Sequence, residues 1–407
     1  MQKIWILAPM AMLVALLGLW ISMAPAPTRS ASPPPAGSSL PKPSSPDHSP
    51  SRVVGVRRPS AGPAPERRWL IADRHEVGEE EALNVVPNEW IVSMRKGTSA
   101  ETLASRLGAT ITGRMSVGHT FRFQFPDAAS AAAARLELEN DASVLGIESN
   151  HVIPRPTIPV PSTMAAMPVA SAANLRIAPV DSETPIVIGL VDTAVGAGDR
   201  GAEEFLLGAA VSSPAPTHGN SVLAAILDGL AAAAGERAAS SVRVVPVDVY
   251  GDAEDTTSYQ VAEGILAAME QGATVINLSL GTSTPVRLLQ DLIDAGDLLG
   301  VVFVGAAGNE PVDTPTYPAA HDAVLAVTSM DDTGHVADHV NYGAFVDVGA
   351  PGAVRFPYGE GWYVATGTSI SAGFVSGLTA GVAERAGISV AEAKEKVAEM
   401  LALEPDP

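Results

Sequence analysis

From residue 184 onward the chain repeats one texture. Short, almost uninterrupted apolar runs (residues 186–191, 242–249, 275–280, 301–304 and 324–327) alternate with stretches of helical apolar spacing (residues 221–230, 261–269 and 286–299). A strand that is apolar on both faces must be covered on both. Strands that alternate with helices meet that demand as a parallel sheet with helices on either side. Ligands of such sheets sit at the carboxyl ends of the strands, where loops lead into helices. Residues that carry chemistry are therefore expected directly after the apolar runs.

Four polar residues stand at such places. Asp192 ends the run 186–191. His218, followed by Gly219, opens a helical pattern through Val222, Leu223, Ile226 and Leu227. Asn309 ends the stretch Gly305-Ala306-Ala307-Gly308-Asn309. Ser369, in Gly367-Thr368-Ser369, opens a helix that carries Val375, Leu378 and Val382 on one face. Each has a plain structural explanation: a turn or cap for Asp192, a surface or satisfied ring for His218, a backbone role for Asn309, a helix N-cap for Ser369. Each also has a chemical one. An acid can hold the second nitrogen of a histidine, and a histidine so held can act as a general base. An Asn amide can donate to a developing oxyanion. A serine at a helix start turns its own N–H and the positive end of the helix dipole toward the same spot.

The four occur in the order Asp, His, Asn, Ser, which includes one of the known orders of acid, base and nucleophile in triad enzymes. The flanking residues sharpen the match. Val191-Asp192-Thr193, His218-Gly219, Asn277-Leu278-Ser279-Leu280-Gly281, Ala306-Ala307-Gly308-Asn309-Glu310, Tyr317-Pro318-Ala319, Ala350-Pro351-Gly352 and Gly367-Thr368-Ser369 resemble, in order, blocks of the subtilisin-like serine proteases over about residues 184–390. The resemblance implies a doubly wound α/β peptidase domain, residues 184–404, with a mostly parallel sheet. It implies that Asp192 orients His218, that His218 takes the proton of Ser369, and that Asn309 with the Ser369 N–H forms the oxyanion hole. It implies polypeptide substrates, lying between extended edges formed by Ser279, Leu280, Gly281, Gly305, Ala306, Ala307 and Gly308, with Thr316 helping to floor a pocket. No cofactor is expected, and no carboxylates cluster in a calcium-loop pattern.

Three departures from the family stand beside the expected site: Ala194 where Gly is usual, Asn220-Ser221 where Thr-His is usual, and Ser371-Ala372-Gly373 where the third residue is commonly proline. Gly373 is expected to loosen the first turn of its helix. The departures keep a second reading open, a catalytically weak or inactive membrane-anchored binding protein on the same fold. A dinucleotide enzyme is disfavoured. Gly196-Ala197-Gly198-Asp199-Arg200-Gly201 spells its glycine motif, but Asp192 and Thr193 intervene after the strand and no acid is well placed near position 220.

The residues ahead of this domain divide by composition. Residues 82–154 read in the order β-α-β-β-α-β, the ferredoxin-like plan. Trp90-Ile91-Val92 opens the first strand, Thr98 or Ser99 caps the first helix, and Phe121, Phe123 and Phe125 alternate along a half-buried strand. A small α+β unit in this position resembles the propeptide of the family, an intramolecular inhibitor whose tail near residues 151–154 would lie in the active cleft. Residues 155–183 are a Pro- and Ala-rich connector, the expected processing region. Residues 24–81 are a Pro/Ser/Ala-rich linker. Residues 1–23 hold Lys3 and an apolar run from Ile4 to Ile21, an export signal or N-terminal membrane anchor. The expected location is a bacterial cell envelope, anchored in the inner membrane and facing the periplasm, or secreted if the signal is cleaved. The absence of cysteine agrees with an envelope protein, and a formal net charge of −20 argues against nucleic acid as a partner.

Overall fold

The structure is a computed structural model that describes residues 84–115, 117–161, 177–235, 239–331 and 333–403. The expected signal or anchor, the expected linker 24–81 and residues 162–176 of the expected connector lie outside the described residues. Among the described residues no helix is long and apolar enough to cross a membrane.

The first described unit has four strands, β1 (Val85–Met94), β2 (Thr110–Arg114), β3 (Thr120–Gln124) and β4 (Val144–Pro154), and two helices, α1 (Ala100–Leu107) and α2 (Ala128–Asn140). Ser99 caps α1 by accepting from the Thr102 N–H, and Gly108 ends it with a left-handed φ of 70°. The strands pair antiparallel in the order β4-β1-β3-β2. Alternation along β1 sends Val92 and Met94 into a core with Leu103, Phe123, Phe125 and Leu138. Ile91 on the opposite face joins Ile153, Tyr259 and Val261 in the core of the following domain. Both faces of this small sheet are therefore covered.

The second unit is built on six parallel strands: β5 (Val187–Asp192), β6 (Arg243–Asp248), β7 (Val275–Leu278), β8 (Val302–Ala306), β9 (Val324–Met330) and β10 (Val348–Pro351). Their order is β6-β5-β7-β8-β9-β10. The chain moves one way from β5 to β6, then crosses to the other side of β5 for the rest. The reversal lies at β5, and the crevice outside its carboxyl end is where sheets of this kind bind ligands. Helices α4 (Ser258–Glu270) and α5 (Arg287–Leu298) cover one face, with Ile265, Met269, Leu289 and Ile293 against Ile276 and Phe303. Helices α3 (His218–Ala234), α6 (Thr368–Ala386) and α7 (Val390–Met400) cover the other, with Val222, Ile226, Val375 and Val397 against Ile188, Leu190 and Val304. A hairpin of β11 (Ala353–Tyr358) and β12 (Gly361–Thr366) precedes α6, and residues Val160–Pro161 pair with β12.

Two buried helices lie against each other with almost no side chain between them. A Cβ on Gly373 would come within 2.9 Å of the Val222 carbonyl oxygen, and one on Gly377 would collide with the Ile226 backbone. A Cβ on Gly229 of α3 would collide with the Phe374 carbonyl, and one on Gly381 would meet Ala233 and Leu230. Val222, Ile226 and Leu230 face Gly373, Gly377 and Gly381 in turn, so α3 and α6 run parallel in one register. The same offset sets His218 beside Ser369. Gly373 is thus a point of close helix approach.

The two units share a boundary built on helix ends. Helix α5 has Val286 at its N-cap and no cap from its own side chains. Glu148 of β4 supplies it, accepting from the Arg287 N–H at 3.1 Å and the Leu288 N–H at 2.9 Å. In α4, which Thr257 caps by accepting from the Gln260 N–H, Asn150 adds a second acceptor, for the Tyr259 N–H at 3.1 Å. Beyond Asn150, residues 152–154 pair antiparallel with the short strand Asp255–Thr257.

Because the opposing atoms at Gly377 are backbone, they have nowhere to retreat. We expect Gly377→Ala to force α3 and α6 apart and to cost about 1–3 kcal/mol, read as a lowered midpoint in urea unfolding. The Glu148 cap carries a pH signature. Burial pushes its carboxyl from 4.5 up to about 7, against the two helix N–H donors, with the Asp291 charge adding to the rise. A carboxyl with a higher pKa in the docked state favours docking when neutral. That contribution is full below about pH 4.5 and is lost as pH rises through about 7. The urea midpoint of the wild type is expected to fall between pH 5 and pH 8 by more than that of Glu148→Gln.

Candidate active site

Asp192 is the last residue of β5 and is fully buried. Both its oxygens face one ring nitrogen: His218 Nδ1 lies 2.8 Å from Oδ1 and 2.9 Å from Oδ2. A buried carboxylate only accepts, so Nδ1 carries the hydrogen and Nε2 is left as the acceptor. Thr193 holds the acid from the other side, donating its N–H to Oδ1 at 2.6 Å. Its hydroxyl also accepts from the Gly219 N–H at 2.9 Å, so one threonine ties the strand end to the start of α3.

His218 is the first residue of α3 because Thr217 and Asn220 form a reciprocal capping box around it. Asn220 does more than cap. Its Oδ1 accepts from the Gly196 N–H at 2.9 Å and its Nδ2 donates to the Gly196 carbonyl at 2.8 Å. Thr217 donates to the Ala194 carbonyl at 2.5 Å, and the Ser221 hydroxyl to the His218 carbonyl at 2.6 Å. Of the residues that depart from the family pattern, Asn220 and Ala194 thus join the loop after Asp192 to the helix that carries His218, and Ser221 bonds within that helix.

Ser369 is the second residue of α6. Gly367, the N-cap, takes φ of 129°, and any side chain there would run into the Asn309 amide. The Ser369 carbonyl accepts from the Ser279 hydroxyl at 3.1 Å, and Ser279 is itself held by Asn277 Nδ2 at 2.9 Å. The Ser369 hydroxyl points to the Ser279 carbonyl at 3.5 Å. No hydrogen bond joins it to His218 in this state, although the paired helices bring the two first turns together. Such bonds are often long or misaligned without substrate and tighten in the complex.

Asn309 is oriented from behind. Its Oδ1 accepts from the Thr368 N–H at 2.9 Å and stands 3.2 Å from the Thr368 hydroxyl, which in turn accepts from the Gly308 N–H at 3.0 Å. With the carbonyl end fixed, the Asn309 NH2 is left as a free donor at an exposed position. The Ser369 N–H is one of the unpaired donors of the first turn of α6.

The eight residues expected to line a substrate divide. Ser279 and Leu280 follow β7 and are buried. Gly305 is no open edge. It pairs with Leu278 on one side and Ala326 on the other, and the space a Cβ would take is filled by Ala319 and Val324. Its smallness serves the chain's own packing. Gly281 has the same reason to be small, since a Cβ there would lie 2.7 Å from Thr316 Cγ2 and the Tyr317 carbonyl. Ala306 and Ala307 have buried side chains and are bonded to β9 on one flank, Ala306 opposite Val327 and Ala307 N–H to the Val327 carbonyl at 2.9 Å. On the other flank β7 ends at Leu278, and the sheet opens toward the Ser279 carbonyl and Ser369. Gly308 and Thr316 meet there through Asn341, which donates its N–H to the Gly308 carbonyl at 3.0 Å and its Nδ2 toward Thr316 Oγ1 at 3.4 Å.

Thr193, Thr368 and Asn341 were given no role from sequence, and Asn220 was read only as a departure from the family pattern. Thr193 and Thr368 are adjacent in sequence to Asp192 and Ser369, and nothing in the sequence distinguishes Asn341. In the glycine motif at 196–201, Gly196 and Gly198 lie against the Tyr358 side chain, whose hydroxyl donates to the Ser213 carbonyl at 2.9 Å. Among the described residues no group of three or more His, Asp or Glu side chains is arranged to hold a metal ion.

A sequence profile of the subtilase family matches residues 186–401. The chain is 34% identical over 167 residues to the thermophilic serine proteinase of Bacillus sp. (strain AK1), which is 40% of this chain and 42% of that protein. It is 34% identical over 164 residues to thermitase of Thermoactinomyces vulgaris, 40% of this chain and 58% of that protein. It therefore spans about half the length of these curated relatives. The fold is shared with fervidolysin from Fervidobacterium pennivorans, a keratinolytic enzyme related to subtilisin, at a TM-score of 0.59 and 17% identity over 75% of this chain and 55% of that chain. It is also shared with the epidermin leader peptide processing serine protease of Staphylococcus aureus, at a TM-score of 0.56 and 16% identity over 77% of this chain and 92% of that chain. Both likenesses cover more of the chain than residues 186–401.

Asn220 offers a direct check on the histidine's support. Asn220→Ala leaves the buried Gly196 N–H and carbonyl without partners, at a cost of about 1–3 kcal/mol, and is expected to lower the thermal midpoint while Ser221→Ala changes it less.

Proposed function

The chain belongs to the subtilase family, and from that membership we propose that it is a serine endopeptidase working through an acyl-enzyme. The observation that carries the reading is the Asp192–His218 pair on the first turn of α3, beside Ser369 on the first turn of α6. His218 Nε2 takes the proton of the Ser369 hydroxyl as Oγ attacks the carbonyl carbon of the scissile bond. Asn309 Nδ2 and the Ser369 N–H receive the negative charge on the carbonyl oxygen. His218 returns the proton to the departing amine as the C–N bond breaks, leaving an acyl group on Ser369. Water then attacks the acyl carbon with His218 as base, and Ser369 is restored. Asp192 stays ionised throughout and stabilises the imidazolium that forms twice in the cycle. The Ser369 hydroxyl must first rotate from the Ser279 carbonyl toward His218.

The reading of an inactive binding protein rested on the departures beside the site. Those residues have structural partners: Asn220 on Gly196, Ser221 on His218, Ala194 under Thr217, and Gly373 against Val222. Nothing in them removes a catalytic group.

We read residues 82–154 as a ferredoxin-like propeptide that inhibits until removed. The strand order β4-β1-β3-β2, the helix-capping contacts of Glu148 and Asn150, and the pairing of residues 152–154 with Asp255–Thr257 support that reading. Cleavage falls in residues 155–183. Export to a bacterial envelope, with residues 1–23 as signal or anchor, rests on the sequence alone.

Treatment of the purified chain with a fluorophosphonate probe tests the chemistry. The wild type is expected to label at Ser369 and to shorten itself within residues 155–183, and Ser369→Ala to do neither. A chain freed of residues 82–154 that fails to label would defeat the proposal.

A further inference from the structure

Where β4 ends, the chain makes one more set of contacts that the catalytic groups do not use. Past the pairing of residues 152–154 with Asp255–Thr257, the Arg155 N–H donates to the Glu254 carbonyl at 2.9 Å and so extends the ladder by a residue. The Arg155 side chain then turns into the loop after β6. Its Nε donates to the Ala253 carbonyl at 2.8 Å, its Nη2 to the Gly251 carbonyl at 2.5 Å, and the guanidinium lies 5.3 Å from the centre of the Tyr250 ring.

The loop is shaped to receive that group. Asp248 accepts from the Tyr250 N–H and the Gly251 N–H, both at 3.0 Å, and the Ala253 N–H closes a turn onto the Tyr250 carbonyl at 3.0 Å. The turn leaves the carbonyls of Gly251 and Ala253 free for one planar donor fork. Tyr250 is 3% exposed, so its ring is a fixed face, and its hydroxyl donates to the Pro154 carbonyl at 3.1 Å. Burial, reinforced by the Asp192 charge, keeps that hydroxyl protonated. Asp252, Glu254 and Asp255 surround the loop as exposed carboxylates. Two residues earlier Ile153 is fully buried, in the cluster that holds Tyr250, Tyr259, Val261 and Leu280.

The loop also begins at the site. Asp248 is in register with Asp192 across β6 and β5, and the Val249 N–H donates to the Asp192 carbonyl at 3.0 Å. The loop that leads to Asp255–Thr257 thus starts beside Asp192.

The geometry points to a guanidinium subsite in the loop 250–255: it takes the arginine of an extended polypeptide laid antiparallel on Asp255–Thr257, with a bulky apolar residue two positions earlier. Ile153-Pro154-Arg155 is its occupant within the chain, and polypeptides carrying the same pattern are the substrate class it selects. The subsite stands on the contacts of Arg155; only its use on substrates rests on the peptidase reading. A planar fork suits two convergent carbonyls and an aromatic face in a way that an ammonium does not.

The test uses the full chain with Ser369→Ala, so that nothing is cut. Arg155→Gly removes the side chain and leaves its hole, and Arg155→Lys keeps the charge without the fork. Hydrogen exchange of the segment 150–156 is expected to quicken by about tenfold or more in both, as the loss of charge-assisted bonds implies. Millimolar N-methylguanidinium is expected to restore protection in Arg155→Gly, and methylammonium is not. Unchanged exchange in Arg155→Gly, or equal rescue by the two cations, overturns the subsite. The substrate half is read on the active chain with a peptide library, in a preparation that labels with fluorophosphonate. Arginine is expected about tenfold above alanine at one fixed position before the cut, and lysine well below arginine. A labelled preparation that cuts with no such preference overturns the substrate assignment. A preparation that does not label overturns the peptidase reading, and the rescue experiment then decides the subsite by itself.

Discussion

The contact on which the site depends is the near-bare approach of α3 and α6. Glycine inside a helix costs about 1 kcal/mol relative to alanine, and this pair carries Gly229, Gly373, Gly377 and Gly381 along one seam. What offsets the cost is proximity. With no Cβ between them the two backbones touch, the helices run parallel in a fixed register, and their first turns end side by side. One first turn carries His218 and the other Ser369. Both positive helix ends then point at the same spot, where a negative charge would be best placed. An alanine in the seam would not alter any group in the site, yet it would move one half of it against the other.

The remaining groups are tied to this pair by short polar links. Thr193 connects Asp192 to the start of α3, and Thr368 connects Asn309 to the start of α6. In each case a threonine next to the chemical residue uses its hydroxyl and N–H to fix the neighbour. The parallel sheet supplies the remaining constraint. Its order reverses at β5, so Asp192 stands at the crevice, and β7 stops at Leu278 while its neighbour β8 runs on. The opening this leaves is lined by the Ser279 carbonyl, Ala306, Ala307 and Gly308.

Much of this was legible in sequence because burial on both faces writes itself as uninterrupted apolar runs. Residues 186–191 and 301–304 were read within a residue or two of Val187–Asp192 and Val302–Ala306. Asp192 and Asn309 were legible because they end such runs, and His218 and Ser369 because each opens a stretch of helical spacing. The start of α3 was legible at His218, although its capping box closes with Asn220 where glutamate or glutamine is the usual signal. The strands Val348–Pro351, Ala353–Tyr358 and Gly361–Thr366 went unread, being short and broken by glycine and proline. Gly281, Gly305 and Gly373 were visible in sequence, but the packing that needs them small was not. A glycine tells of close approach without naming what approaches, and the partners Thr316, Ala319 and Val222 lie far along the chain. The caps that Glu148 and Asn150 place on α5 and α4 were illegible for the same reason.

The central claim is that the α3–α6 register brings His218 and Ser369 into one reacting unit. The most direct measurement is a crystal structure of the chain after reaction with a fluorophosphonate. The account predicts an adduct on Ser369 Oγ, its phosphoryl oxygen within hydrogen-bond reach of Asn309 Nδ2, and His218 Nε2 about 2.6–3.2 Å from Ser369 Oγ, with Asp192 still on Nδ1 and Gly377 still against Ile226. An adduct on another residue, or on Ser369 with His218 turned away from it and still bound to Asp192, would contradict it.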